Sequence, residues 1–133
     1  MHILPADLDI LARTIWGEAR SEPFEAQVAI GHVVMNRVVA SHRKETTIAG
    51  VATEPFQFSC WNPSDPNRAK LTSVDLGTRT FRRAYAAALA AMDGEDMTGG
   101  ATHYHTTQIM PEWAKGVTPT IQLGNHLFYA GIH

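Results

Sequence analysis

Leu8, Leu11, Ala12, Ile15 and Trp16 recur at the three- and four-residue spacing of a helix face. This predicts a first helix over about residues 7–18, opened by Pro5 or Asp7 and buried on that side. Ser21-Glu22-Pro23 breaks it, and a second helix is expected from Phe24 to Ser41. Pro23 stands where the first helical turn tolerates a missing amide. Val28, Ala29, Val33, Val34, Val38 and Val39 form the expected buried side. β-branched residues have modest helix propensity, so burial has to hold this segment. Asn36-Arg37 near its end is expected to reach out of the core and fix the next loop.

A polar loop over Ser41–Thr47 leads to a short turn at Ile48–Ala52. Glu54–Pro63 sets three aromatics and several small polar side chains between two prolines, which predicts an extended loop. Residues 62–67 read as turn-rich. A further helix is expected from Thr72 or Ser73, weakened by Gly77 and firm from Thr78 to Met92. Phe81, Tyr85, Leu89 and Met92 would line its apolar face, while Ala86–Ala91 would allow close helix packing. After the turn Thr98-Gly99-Gly100, residues 101–106 alternate like a short strand. Pro111-Glu112-Trp113 reads as a turn, and Ile121–Leu123 and His126–Tyr129 as a hairpin around Gly124-Asn125. The expected fold is α+β and predominantly helical. It forms a single domain over residues 1–133 with a small β element in the C-terminal third.

Composition narrows the function classes. The chain has 133 residues, 44% hydrophobic and 18% charged, enough for one core. A net charge of −2 offers no broad basic face for nucleic acid or an anionic membrane. Cys60 is the single cysteine, so no intrachain disulfide can form. The apolar stretch Val28–Val39 is interrupted by Gly31, His32, Asn36 and Arg37 and is too polar to span a bilayer. The first residues lack the basic and apolar regions of a secretion signal. The expectation is a soluble product made in the cytoplasm that needs help to act outside.

Three groups of residues could carry chemistry. Glu18 closes the first helix beside Trp16 and Gly17. Half-buried there, a carboxyl would have a raised pKa suited to a general acid; solvated, it would merely pair with Arg13 or Arg20. The nearby candidates in the aromatic loop are Gln57, Phe58 and Ser59, whose ring and polar groups suit sugar binding as well as core plugging. The second group is His103, His105 and His126. Alternate strand residues share a face, so His103 and His105 could hold a metal, although no zinc spacing surrounds them. The third pairs Cys60 with a histidine as a thiol nucleophile, without a cysteine-hydrolase signature. Glycosidases usually use two carboxyls, and Glu22, Glu25, Glu54, Asp65 and Glu112 are candidates for the second. Alternatively, the sugar's own C6 hydroxyl displaces the leaving group, and a single acid/base residue suffices.

These pieces together resemble the SleB-type cell-wall hydrolases, the family of the spore-cortex-lytic enzymes. The matching stretches are Ala12–Arg20 followed by Glu22-Pro23, Gln27-Val28-Ala29, and Val33–Val38 with Asn36-Arg37. They continue through Phe56–Ser59, Gly100–His105, Pro111 with Trp113, and Ile121–Tyr129. The resemblance implies a lysozyme-like, lytic-transglycosylase-like domain acting on peptidoglycan glycan strands. It implies Glu18 as the general acid/base at the N-acetylmuramic acid–N-acetylglucosamine bond. Gln57, Ser59, Tyr104, His105 and Trp113 are the expected groove residues, with no metal or other cofactor and a monomeric enzyme. The missing export signal and wall-binding domain suggest a phage endolysin, acting on the wall after release from the host cytoplasm. A metal-dependent amidase using the three histidines and a non-catalytic peptidoglycan-binding module are the alternatives.

Overall fold

A computed structural model describes residues 5–41, 46–55 and 57–132. Residues 42–45 of the expected polar loop and Phe56 of the aromatic loop lie outside them. The chain runs α1 (Pro5–Ala19), α2 (Phe24–Ala40), α3 (Ile48–Thr53), α4 (Pro66–Ser73) and α5 (Arg79–Asp93). Then follow β1 (His103–Thr106), β2 (Ile121–Leu123) and β3 (His126–Tyr129). Single 3-10 turns occupy Ser59–Trp61 and Glu112–Ala114.

α1, α2 and α5 form the helical body. Leu11, Ala12, Ile15 and Trp16 of α1 are buried, as their spacing requires. α2 is buried on every side from Ala26 to Val34, but Val39 is 64% exposed rather than part of the core. The face expected for α5 holds at Phe81, with Tyr85 and Met92 packed at its margin, and is corrected at Leu89. Leu89 is exposed, and the buried stripe is Phe81, Ala84, Ala87, Ala88 and Ala91. Alanine wins because the helices approach so closely: a Cβ placed on Gly31 of α2 would stand 2.7 Å from the Ala91 Cβ.

α4 is a second correction. It occupies Pro66–Ser73, where a turn followed by a helix start was expected. Its only buried side chain is Leu71, so there was no apolar period to read. Its start is set by chemistry instead: Asp65 Oδ1 accepts from the Asn67 amide at 2.8 Å, and Pro66 fills the first helical position. The expected turn at residues 48–52 is the short helix α3, capped by Thr47 and tied to α1 where buried Asp7 accepts from the Ala49 amide at 2.9 Å.

The strands form an antiparallel sheet in the order β1-β3-β2. Tyr104 pairs with Phe128, and Thr106 with His126. Gly124-Asn125 turns β2 into β3, Gly124 having φ +57°. Phe128 enters the core, so one face of the sheet closes against the helices. Asn36 and Arg37 do reach outward, and further than the next loop. Asn36 donates to the Ala101 carbonyl at 2.9 Å and Arg37 Nε to the Thr102 carbonyl at 2.6 Å, pinning the start of β1.

Candidate active site

Glu18 is the penultimate residue of α1 and is half-buried. Tyr104, from the middle of β1, donates its hydroxyl to Glu18 Oε1 at 2.5 Å. The Ser59–Trp61 turn meets α1 at the same place. A Cβ on Gly17 would lie 2.8 Å from both Cβ and Sγ of Cys60, so glycine is what lets this turn approach the helix. Trp61 Nε1 donates to Thr14 Oγ1 at 2.9 Å and fastens the turn one helical turn further back.

The neighbours of Glu18 are held in their neutral forms. Burial first, then the adjacent Glu18 charge, raises the Tyr104 phenol well above its ordinary pKa. Burial, and then Glu18, likewise push the Cys60 thiol upward. Around neutral pH both are therefore uncharged hydrogen-bond donors beside a carboxyl group. Cys60 is also buried, so its protonated thiol is out of reach of a substrate, which counts against the Cys60–histidine reading.

Arg37 joins the two sides of this site. Besides Thr102, its Nη1 donates to the Gln57 carbonyl at 3.3 Å, and its guanidinium stands 4.6 Å over the Phe58 ring. Burial lowers its pKa, and the nearby acidic groups, the Tyr104 phenol where ionised and the Glu18 carboxyl, work the other way. One cation thus holds both the loop that approaches Glu18 and the strand that carries Tyr104. Gln57 and Ser59 are exposed on that loop, and Phe58 plugs the core, so the two readings of this stretch divide between neighbouring residues.

Of the other expected groove residues, His105 is not brought to Glu18. It is buried, with Nε2 2.7 Å from the Tyr129 hydroxyl and Nδ1 2.7 Å from the Thr106 carbonyl. Strand alternation places it on the opposite face of β1 from Tyr104. Trp113 is half-buried on that same face, edge-on to His103, His105 and Tyr129. The three histidines do not converge either. His126 pairs with Thr106 and shares the Tyr104 face, where Nδ1 sits 3.1 Å from Glu22 Oε1. Among the described residues no three His, Cys, Asp or Glu side chains are grouped to hold a metal ion.

The candidate second carboxyls are placed elsewhere or are already engaged. Glu22 is buried and bonded to Asn125 and His126, Asp65 caps α4, and Glu112 pairs with Lys115 at 2.8 Å. Glu25 and Glu54 are exposed. Cys60 is the neighbour that sequence reasoning did not join to Glu18, although Gly17 was noted beside it. The available signal was a glycine immediately before a candidate acid, in a helix that otherwise has no reason to contain one.

A half-buried glutamate at a helix end, bonded by a strand tyrosine and flanked by a polar aromatic loop, defines a candidate glycan-cleaving centre on a helical α+β fold. The chain matches the Cell Wall Hydrolase family over residues 21–129 and belongs to it. Glu18 lies three residues ahead of that match, so its place in the site rests on the geometry.

The fold is that of the catalytic domain of the Bacillus cereus SleB protein, with a TM-score of 0.75 and 27% identity, covering 96% of this chain and 91% of that one. The catalytic domain of the germination-specific lytic transglycosylase SleB from Bacillus anthracis matches with a TM-score of 0.71 and 28% identity, covering 94% of each chain. The spore cortex-lytic enzyme of Bacillus subtilis (strain 168) is 32% identical over 124 residues, 92% of this chain and 37% of that protein. That of Oceanobacillus iheyensis is 29% identical over 123 residues, 92% of this chain and 41% of its own length. The chain thus spans about two-fifths of the length of these two curated relatives.

Proposed function

We propose that the chain cleaves the β-1,4 bond between N-acetylmuramic acid and N-acetylglucosamine in peptidoglycan, with Glu18 as the single general acid/base. The observation that carries this reading is the bond from Tyr104 to Glu18: it joins the helical body and the sheet at a carboxyl beside a polar, aromatic loop. Glu18 protonates the glycosidic oxygen as the bond to the anomeric carbon breaks. It then takes the proton of the C6 hydroxyl, whose oxygen closes on that carbon to leave a 1,6-anhydro end. Atoms and charge balance without a water molecule. The engagement of Glu22, Asp65 and Glu112 elsewhere favours this transglycosylase route over hydrolysis, which would call for a second carboxylate. Tyr104 and Cys60, both neutral donors, hold the carboxyl in place through either half of the cycle.

The exposed Gln57 and Ser59 are the groove residues that this reading retains on the Glu18 side. In this proposal His105 and Trp113 support the sheet from behind rather than touching the sugar. The domain acts as a monomer on glycan strands without a cofactor. We place it in host lysis as an endolysin, acting on the wall after release from the cytoplasm. Cytoplasmic expression tests that setting: lysis should follow only when the inner membrane is permeabilised.

The test of the chemistry is mass spectrometry of fragments released from purified peptidoglycan by the wild type and by Glu18→Gln. Anhydro-muramic ends from the wild type alone are expected. Reducing ends would mean hydrolysis, released stem peptides would mean an amidase, and a fully active variant would remove Glu18 from the mechanism.

A further inference from the structure

Glu22 lies four residues beyond Glu18, on the turn between α1 and α2, and is 8% exposed. A carboxylate so placed needs strong partners, since burial without them is costly. It has three, all from the β2–β3 corner. The Asn125 amide donates to Oε1 at 2.8 Å, the Asn125 side chain to Oε2 at 3.3 Å, and His126 Nδ1 stands 3.1 Å from Oε1. The corner is also shaped to fit: a Cβ on Gly124 would fall 2.8 Å from both Glu22 Oε1 and Pro23 Cδ.

The turn that carries Glu22 is itself tied down from two helices. Buried Gln27 Nε2 donates to the carbonyls of Ala19 at 3.0 Å and Glu22 at 3.3 Å, and Arg83 of α5 donates to the Glu22 carbonyl at 3.0 Å. Glu22 thus fixes the hairpin to the helical body.

What the hairpin holds is the catalytic contact. His126 and Thr106 are register partners at one end of the β1–β3 ladder, while Asn36 and Arg37 pin residues 101–102 at the other. Tyr104 lies between the two anchors. Its ring meets that of His126 at 5.4 Å between centroids and that of Phe128 at 5.8 Å.

We propose that Glu22 is a positioning residue for bond cleavage: by docking the Gly124–His126 corner on the turn after α1, it keeps the His126 ring against Tyr104 and the Tyr104 hydroxyl on Glu18. This rests on Glu18 being the acid/base. Glu22 touches no reacting atom, and its influence passes through Tyr104.

A double-mutant cycle on soluble glycan strands tests this, with kcat and KM measured separately and folding checked by circular dichroism and Tm. Tyr104→Phe is expected to lower kcat about tenfold, and Glu22→Gln to lower it by a similar factor, with KM unchanged in both. If Glu22 acts through Tyr104, the double variant falls no further than Tyr104→Phe alone. His126→Asn, which keeps a donor near the Nδ1 position but removes the ring, should reproduce the kcat loss with little change in Tm. It carries the test if Glu22→Gln does not fold. Multiplying losses of about a hundredfold in the double variant would overturn the proposal. So would a Glu22→Gln or His126→Asn enzyme with normal kcat. Glu18→Gln is run alongside: retained activity there removes the acid assignment and the proposal with it. An inactive Glu18→Gln with additive losses at Glu22 and Tyr104 removes only the positioning role.

Discussion

The molecule is held together across two seams of different chemistry. Where α5 meets α1 and α2, the contact is largely apolar and runs through alanines beside Phe81, with Gly31 set closely against Ala91. Where the sheet meets the helices, Phe128 supplies apolar burial, but the directed contacts are hydrogen bonds: Asn36 and Arg37 to the start of β1, Tyr104 to Glu18, and Asn125 and His126 to Glu22. The first seam responds to volume, because close-packed alanines leave no room to adjust. The second responds to charge and geometry. Glu18 sits at the junction of the two, its backbone in the helical body and its carboxyl on the sheet.

The largest expected effect separates chemistry from stability at that junction. Glu18→Gln should lower kcat by roughly 10²–10⁴-fold, with Tm nearly unchanged because the half-buried amide can still accept from Tyr104. A drop in Tm that explains the lost activity would erase the distinction between site and seam.

Next comes the polar seam. Glu22→Ala leaves the Asn125 amide and the His126 ring without their acceptor and should cost about 2–3 kcal/mol in urea unfolding. The same seam is acid-sensitive. Burial raises the Glu22 carboxyl, but bonds from the Asn125 amide, His126 and the Asn125 side chain outweigh it, so the folded pKa lies below 4.5. In the window beneath 4.5 the unfolded chain binds the proton first. Stability is therefore fully present above that pH and is lost as pH falls through the folded value. Wild-type urea midpoints should fall across this window, with Glu22→Ala showing a smaller drop.

Gly31→Ala strikes the apolar seam instead and should cost about 1–2 kcal/mol through overpacking against Ala91. Because it removes no titrating group, its penalty should be the same at pH 7 and pH 4. A pH-dependent penalty would show that the two seams are coupled.

The smallest effect is expected at Leu89, where helical spacing suggested a buried position and the structure leaves the side chain 48% exposed. Leu89→Ser should stay within about 0.5 kcal/mol of the wild type and leave activity unchanged. A loss above 2 kcal/mol would put this side chain back in the apolar seam.

Apolar period located α1 and α2, and strand alternation around Gly124-Asn125 located the hairpin, because those signals are local and repeat along the chain. α4 was illegible to the same reading, since one buried leucine sets no period and its signal was the Asp65-Pro66 start. On α5 most of the alanines expected to pack closely do so, and Phe81, Tyr85 and Met92 meet the core. Of the expected apolar face only Leu89 turns outward, because the tight contact runs through Ala84, Ala87, Ala88 and Ala91 and shifts the buried stripe away from it. Glu18 could be singled out from its setting beside Trp16 and Gly17. Tyr104, 86 positions away, entered only through the family resemblance and not as a partner of the carboxyl, and Cys60, which approaches because Gly17 has no side chain, was not joined to it.

The sequence by itself determined the helix-rich order of elements, the single cysteine, and a carboxyl at the end of the first helix. Tertiary structure decided what each polar group is for. Two glutamates four residues apart became a candidate acid and an anchor because different parts of the sheet meet them, the middle of β1 and the β2–β3 corner. It also sent His105 and His126 to opposite faces of one sheet, since neighbouring strand positions alternate and cross-strand partners share a side. Those assignments depend on contacts between distant parts of the chain, which no local pattern encodes.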